Sequence, residues 1–270
     1  MTGTREGMTQ QASSGGRETG SDVTILYLGH NTLELALDGV RLLTDPMLRM
    51  RFEVLRRHGP APDLGVLEGL DAILISHLHL DHANPRSLHL LPKEIPLVVP
   101  RGGARILRRF HFHSVCELAP GDSVVAEGLT ITATPAQHDG RRYPWGHAAE
   151  AVGYVIQGSR RLYFAGDTGF FDGLADLGGD LDIALLPIWG WGLRLPDDHL
   201  SPRTAAEAVS LLRPRVAIPI HWGTFLPLGM SWWYRHYLTD PAQDFLRSAT
   251  ELAPQVRTVL LQPGESITLR

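Results

Sequence analysis

ILISHLHLDHANP, Ile73 to Pro85, is the stretch on which the fold turns: three histidines and an aspartate occupy positions 77 to 82, directly after an apolar run. The run from Asp71 to Ser76 is short, continuous and apolar, the pattern of a strand buried on both faces, and the histidines begin where it ends. On a helix, residues two apart diverge by about 200°, so His77 and His79 could not share an ion there; in extended chain they face the same way. The chain then turns at Asp81-His82, and Asn84-Pro85 caps and starts a short helix, PRSLHLL. Asp81 and His82, past the turn, reach a different point in space from His77 and His79. That separation points to two metal ions.

Two ions need more donors than this loop holds. Candidates stand at other strand ends: His138 after ITATPAQ, Asp167 after LYFAG and His221 after VAIPI. In α/β sheets, strand ends are where functional loops collect. Further out, VTILYLG and TLELALDGVRLLTDP read as antiparallel strands with a hairpin turn at Asp38-Gly39, and residues 46–70 read as irregular. GGARILRRF reads as a helix. The clearest helix is SPRTAAEAVSLLRP, with Ser201 as N-cap, Pro202 in its first turn and Pro214 past its end. Many strands with helices interleaved late predict a layered α/β domain over residues 22–270, with a mixed sheet or two stacked sheets and no residue-level repeat.

Composition bounds the rest. The chain has 270 residues, 43% of them hydrophobic, enough for a substantial core. No apolar run approaches the ~18 residues of a membrane span. Residues 1–21 have no apolar core segment of the kind a signal peptide carries, read as a disordered tail, and leave the cytoplasm as the expected location. A single cysteine, Cys116 in HSVCEL, fits a reducing compartment and reads as part of a buried strand. A formal charge of −4 argues against a nucleic-acid binder; the Arg49–Arg57 and Arg105–Arg109 clusters read as solvated surface, with the capacity to hold anionic groups near a site.

HLHLDH, PAQH, FAGDTG and IHWGTF, in that order between residues 77 and 225, resemble the metallo-β-lactamase fold superfamily of metal-dependent hydrolases. With the later DDHLSP, the set is most similar to the branch holding the ascorbate-6-phosphate lactonases and the N-acylphosphatidylethanolamine phospholipase D proteins. The resemblance runs from LGHNTLELALDGVRLLTDP to near the end of the chain. It implies a four-layer αββα sandwich. It also implies His77, His79 and His138 on one metal and Asp81, His82 and His221 on the other, with the Asp167 carboxylate bridging. The expected cofactors are two divalent ions, zinc first, with manganese or iron as alternatives. The superfamily's redox branch carries glutamate where His79 stands here, and its antibiotic-degrading members usually carry cysteine where Asp167 stands. Both departures favour hydrolysis of another substrate.

Two ions sharing a hydroxide, with Asp81 and Asp167 aiming it, would attack phosphorus or a carbonyl carbon. His199, two residues before the N-cap of the clearest helix, is expected to contact substrate or stabilise an oxyanion, and the helix dipole is expected to keep it neutral. His30, in YLGHNT, is weighed as a pocket residue against a structural role. His147, Trp191 and Trp222 are candidate substrate contacts. The six tryptophans all follow candidate ligands or lie between them, suggesting an aromatic wall for a substrate with hydrophobic parts, a membrane contact or a subunit interface. The leading expectation is a phosphodiesterase, including N-acylphosphatidylethanolamine-type lipid; the alternatives are a lactone or ester hydrolase and a non-catalytic metal-binding or sensor module. Ribonuclease-type processing would predict a basic exosite or an added domain, and neither is visible in the sequence.

Overall fold

A computed structural model describes residues 22–142, 149–191, 195–230 and 232–270. The first half runs β1 (Val23–Gly29), β2 (Thr32–Leu37), β3 (Val40–Thr44), β4 (Arg51–Phe52), β5 (Leu55–Arg57), β6 (Ala72–Leu74), α1 (Pro85–Leu88), β7 (Leu97–Pro100), α2 (Ala104–Leu107) and β8 (Val115–Leu118). The second runs β9 (Ser123–Ala126), β10 (Leu129–Pro135), β11 (Val152–Gln157), β12 (Arg161–Phe164), β13 (Ile183–Pro187), α3 (Pro202–Leu212), β14 (Val216–Ile220), β15 (Phe225–Pro227), α4 (Asp240–Leu252), β16 (Arg257–Thr258) and β17 (Ser266–Leu269). Two seven-stranded sheets form, in the orders β17-β1-β2-β3-β6-β7-β8 and β16-β14-β13-β12-β11-β10-β9. Each begins its main path as an antiparallel meander and continues as parallel strands. Topology is thus echoed between the halves without a residue-level repeat.

Period-two burial assigns the layers. Ala72 and Leu74 of β6 and Leu162 and Phe164 of β12 point into an apolar core between the sheets. Their neighbours Ile73 and Tyr163 point outward into two further cores. One outer core packs α1 and α2, through Leu88 and Leu107, under the first sheet. The other packs the alanine-rich face of α3 and Phe245 of α4 under the second. The result is the expected αββα sandwich. Ser201 caps α3 by accepting from the Thr204 amide, and Asn84 caps α1 in the same way through Ser87.

The structure departs from expectation in three elements. Helix α4 was not evident in the sequence, because it follows an aromatic, proline-flanked segment without a side-chain cap. Residues 46–70 are not all irregular: β4 and β5 form a hairpin that pairs with β15 in a small third sheet. Cys116 is only partly buried, packed against the inter-sheet core.

Arg57 is also unlike its expected solvated role. It is fully buried, and its guanidinium donates to the carbonyls of Leu28 (2.7 Å), Met47 (2.5 Å) and Arg49 (3.3 Å). Burial pulls its pKa down to about 10, so it still carries charge at neutral pH. Gly29, at φ +103°, makes room for it: a Cβ there would lie 2.7 Å from its Nη1. Arg57→Ala should leave a cavity and unpaired carbonyls, lowering stability by about 2–4 kcal/mol in a urea titration. A loss below about 0.5 kcal/mol, the level of an ordinary surface change, would refute the structural role.

Candidate metal centre

Six strand ends converge on one end of the inter-sheet core. From the first sheet, β1 delivers His30 and Asn31, β3 delivers Asp45, and β6 runs through Ser76 into the histidine loop. From the second, β10 delivers His138, β12 delivers Asp167 and β14 delivers His221. Several hydrogen bonds join the two sets: His221 N to His30 O (2.8 Å), Val152 N to Ser76 O (3.0 Å) and Asn31 Nδ2 to Asp167 Oδ1 (2.7 Å). His30, Asp45 and His221 all have positive φ, at 61°, 32° and 61°, a conformation that concentrates at functional sites in non-glycine residues. Gly166, at φ +63°, permits a close approach of the sheets here, since a Cβ on it would sit 2.5 Å from that of Ser76.

The donors fall into two groups with Asp167 between them. His77, His79 and His138 bring one nitrogen each within 4.8 Å of one another, as do His82, His221 and His30 together with an Asp81 oxygen. Asp167 Oδ2 lies 3.1 Å from His82 Nε2, 3.4 Å from His221 Nε2, 3.5 Å from His199 Nε2 and 3.9 Å from His77 Nε2. His79 turns its Nδ1 inward, 3.1 Å from His138 Nε2.

Outer partners fix the tautomers. Carboxylates and carbonyls only accept, so His82 Nδ1 donates to Asp45 Oδ2 (2.8 Å), His221 Nδ1 to Trp189 O (2.8 Å), and His138 Nδ1 to Asp198 Oδ2 (3.0 Å). His77 Nδ1 donates to Ser76 Oγ (2.9 Å), whose hydroxyl donates to Asp45 Oδ2 (2.6 Å). In its neutral form each of these imidazoles therefore aims a lone pair on Nε2 at the centre. The Nε2 atoms of His77, His82 and His221 are buried without a hydrogen-bond partner. An orphaned buried polar atom costs about 1–3 kcal/mol, and three on one point mark a place built for a cation. The donor set, imidazole plus carboxylate, fits a pair of divalent ions.

Electrostatics agree with that fit. Burial, reinforced by neighbouring imidazoles, drives the pKa of His77 and His221 well below the ordinary value, keeping both neutral. Burial opposes ionisation of Asp81 and Asp167. The imidazoles outweigh it, His82 and His30 at Asp81 and His221 and His82 at Asp167, and hold both carboxyls well below the usual range. Burial likewise opposes charge on His82, yet Asp167 and Asp81 push its pKa well up. Among the described residues, these two carboxylates are paired with imidazoles and with no lysine or arginine.

The structure brings His77, His79, Asp81, His82, His138, Asp167, His199 and His221 together. It corrects other expectations. His30 is buried, with Nε2 3.0 Å from Asp81 Oδ2 and its ring 3.9 Å from that of His221, so it positions Asp81 and is not a substrate contact. Trp222 lies in the core beneath α3, its Nε1 donating to Pro219 O, and does not face the pocket. Trp191 is partly exposed at the mouth and donates to Asp81 Oδ2 at 3.1 Å. His147 lies outside the described residues. His199 does not have the lowered pKa that the helix dipole led one to expect: burial lowers it, but Asp167 and Asp198 together raise it above the ordinary value. Asn31, Asp45, Ser76 and Asp198 were missed. Asp45, in LLTDP, ends a strand as Asp167 does, and Asp198 adjoins His199 in DDHLSP; those were the available signals.

The family model described as the Beta-lactamase superfamily domain matches residues 40–222. A UPF0173 metal-dependent hydrolase of Methanopyrus kandleri is 32% identical over 90% of this chain and 98% of that protein. The N-acyl-phosphatidylethanolamine-hydrolyzing phospholipase D 1 of Caenorhabditis elegans is 35% identical over 77% of this chain and 65% of that protein. Among solved structures, the metallo hydrolase Igni18 of Ignicoccus hospitalis superposes with a TM-score of 0.68 at 24% identity, over 92% of this chain and 99% of that one, and so shares the fold. With a superfamily match running from β3 through His221, and a full-length likeness to a UPF0173 protein, the chain belongs to the beta-lactamase superfamily as one of its UPF0173 metal-dependent hydrolases.

Proposed function

We propose that the chain is a binuclear hydrolase that cleaves a phosphodiester, with lipids of the N-acylphosphatidylethanolamine type as the leading substrate class. The observation that carries this reading is the convergence of three partnerless buried Nε2 atoms on Asp167 Oδ2. His77, His79 and His138 would hold one ion and Asp81, His82 and His221 the other, with Asp167 between them. When bound, two divalent ions supply Lewis acidity, lowering the pKa of water and polarising the scissile group.

The chain's own residues do the rest. Asp81 is fixed by His30 and Trp191, stays ionised, and can align the attacking water by a hydrogen bond. His199, whose pKa Asp167 and Asp198 raise, stands at the partly open mouth, and in its protonated form it can deliver a proton to the leaving oxygen as the phosphorus–oxygen bond breaks. The products balance: the water becomes part of a phosphomonoester, and the leaving group departs as an alcohol. The lipid class is supported by the Caenorhabditis elegans relative's name and identity.

Metal analysis of the purified protein should give close to two equivalents, zinc first, and His82→Ala should lose at least one. Near-zero stoichiometry in both would sink the reading. Metal-loaded protein offered phosphodiesters, phosphomonoesters, lactones and thioesters should turn over the diesters fastest. Preference for lactones would move the attacked atom from phosphorus to carbon.

A further inference from the structure

The small third sheet carries a surface that the metal centre does not use. At the tip of the β4–β5 hairpin Val54 is 63% exposed, and it is joined to the 228–235 segment, described at 228–230 and 232–235, by Leu228 N donating to Val54 O at 2.8 Å. Leu228 and, beside the hairpin, Met50 are exposed as well. The turn closes by Tyr234 N donating to Met230 O at 3.0 Å, and it lifts Trp232 and Trp233 into solvent, 85% and 72% exposed. Soluble surfaces rarely leave so much contiguous apolar and indole area uncovered without a use.

The rim of this patch is basic. Besides the buried Arg57, residues 46–61 hold Arg49, Arg51 and Arg56 against one carboxylate, Glu53, and residues 222–239 hold Arg235 and no carboxylate. Arg51, Arg56 and Arg235 are all exposed, and after burial the positive charges of Arg56 and Arg235 both lower the pKa of His58. We infer that the β4–β5 hairpin and the 228–235 turn form a docking surface for an anionic lipid bilayer, with Trp232, Trp233 and Val54 entering the interface and Arg51, Arg56 and Arg235 meeting its phosphates. Indoles partition to the headgroup level, and each arginine near an anionic surface adds about fivefold in partitioning. A second copy of the chain fits less well, because a two-fold contact through this patch sets Arg56 and Arg235 near their own duplicates.

Docking here brings the metal centre to the membrane. The turn's Tyr234 stacks on Tyr237 (6.0 Å between centroids), and Tyr237 on Trp189 (5.5 Å), whose carbonyl orients His221. On its other side the hairpin borders a cleft of about 370 Å³ lined also by Leu80 and Asn84 of the histidine loop. A lipid substrate in the bilayer would thus lie beside the centre. This deepens the proposed function, but its test does not depend on turnover.

Flotation of the purified full-length chain with phosphatidylcholine vesicles, with and without 30% phosphatidylglycerol, is the experiment, using ~100 nm vesicles at low and at high salt. Binding should be strongest to the anionic vesicles and fall with salt. Trp232→Ser/Trp233→Ser should cut the partition coefficient at least about tenfold on both, and Arg56→Glu/Arg235→Glu should cut it on the anionic vesicles alone. Circular dichroism and metal content should match wild type in both variants. Absence of wild-type binding, unchanged binding by the tryptophan variant, or a dimer that this variant dissociates with no vesicle affinity in either form would overturn the inference. Turnover of a soluble phosphodiester reads the centre separately: vesicle binding without it would refute the reaction and leave the docking intact, and the converse would do the opposite.

Discussion

Asp167→Asn should abolish turnover and reduce bound metal from about two equivalents to one or fewer. The carboxylate lies within 4 Å of an imidazole from both halves of the centre: His77 on one side and His82 and His221 on the other. Asparagine preserves the volume and can still accept from Asn31 Nδ2, so the fold should survive. What is lost is a full negative charge where the two proposed cations would sit. If that removes about 4 kcal/mol of stabilisation from the transition state, the rate falls about a thousandfold. A readout independent of catalysis is metal-induced stabilisation. A ligand at a hundredfold excess over its Kd stabilises the folded state by about 2.7 kcal/mol, visible as a rise in melting temperature on adding zinc to chelator-treated wild type. The Asp167→Asn protein should melt like chelator-treated wild type and show little of that rise. A variant that keeps two equivalents of metal and the full rise would remove Asp167 from the ligand set.

Much of this architecture was legible in the sequence, because strand periodicity and the interrupted apolar run before His77 are local signals. The short buried strand β6, the Asp38-Gly39 turn and the caps Asn84 and Ser201 each rest on residues within a few positions of one another. The histidines that gather at the centre were also visible, since all but His199 stand after an apolar strand and His199 stands just before the cap of the clearest helix. What was not legible is what those histidines lean on. Asp45 touches His82 across 37 positions and Asn31 touches Asp167 across 136; Asp45 offered only its place at a strand end, and Asn31 belongs to no local pattern that distinguishes it from an ordinary polar loop residue. Trp222 shows the same limit from the other side: beside a ligand in the chain, it nevertheless points away, because successive residues at a strand end leave on opposite faces. His30 was left between two roles and Arg57 was misjudged because burial of a polar side chain is decided by the partners that satisfy it, and those are carbonyls and a carboxylate supplied from distant segments.

Asp45→Asn should weaken metal binding by about 10- to 100-fold although Asp45 itself need not touch an ion. Its carboxylate receives the Ser76 amide (2.7 Å) on Oδ1 and both the Ser76 hydroxyl (2.6 Å) and His82 Nδ1–H (2.8 Å) on Oδ2. Through His82 it acts on the Asp81 side of the centre, and through Ser76 and His77 on the His79 side. An asparagine keeps its oxygen for the Ser76 amide and so turns an NH2 group toward His82. Two N–H groups cannot face each other, and the imidazole answers by exchanging tautomer. Nδ1 becomes the acceptor, and the proton moves to Nε2, the atom that should offer its lone pair to the ion. Asp45→Ala removes the anchor without imposing the wrong tautomer, so it should be milder than asparagine despite the larger change in volume. That order is the diagnostic. Zinc dissociation constants from chelator competition should rank wild type below Asp45→Ala and Asp45→Ala below Asp45→Asn, with nitrogen chemical shifts of His82 reporting Nε2–H in the asparagine variant alone. If alanine proves the more damaging of the two, Asp45 serves as packing and hydrogen-bond ballast for the Ser76 turn, and the tautomer of His82 is set by the ion itself.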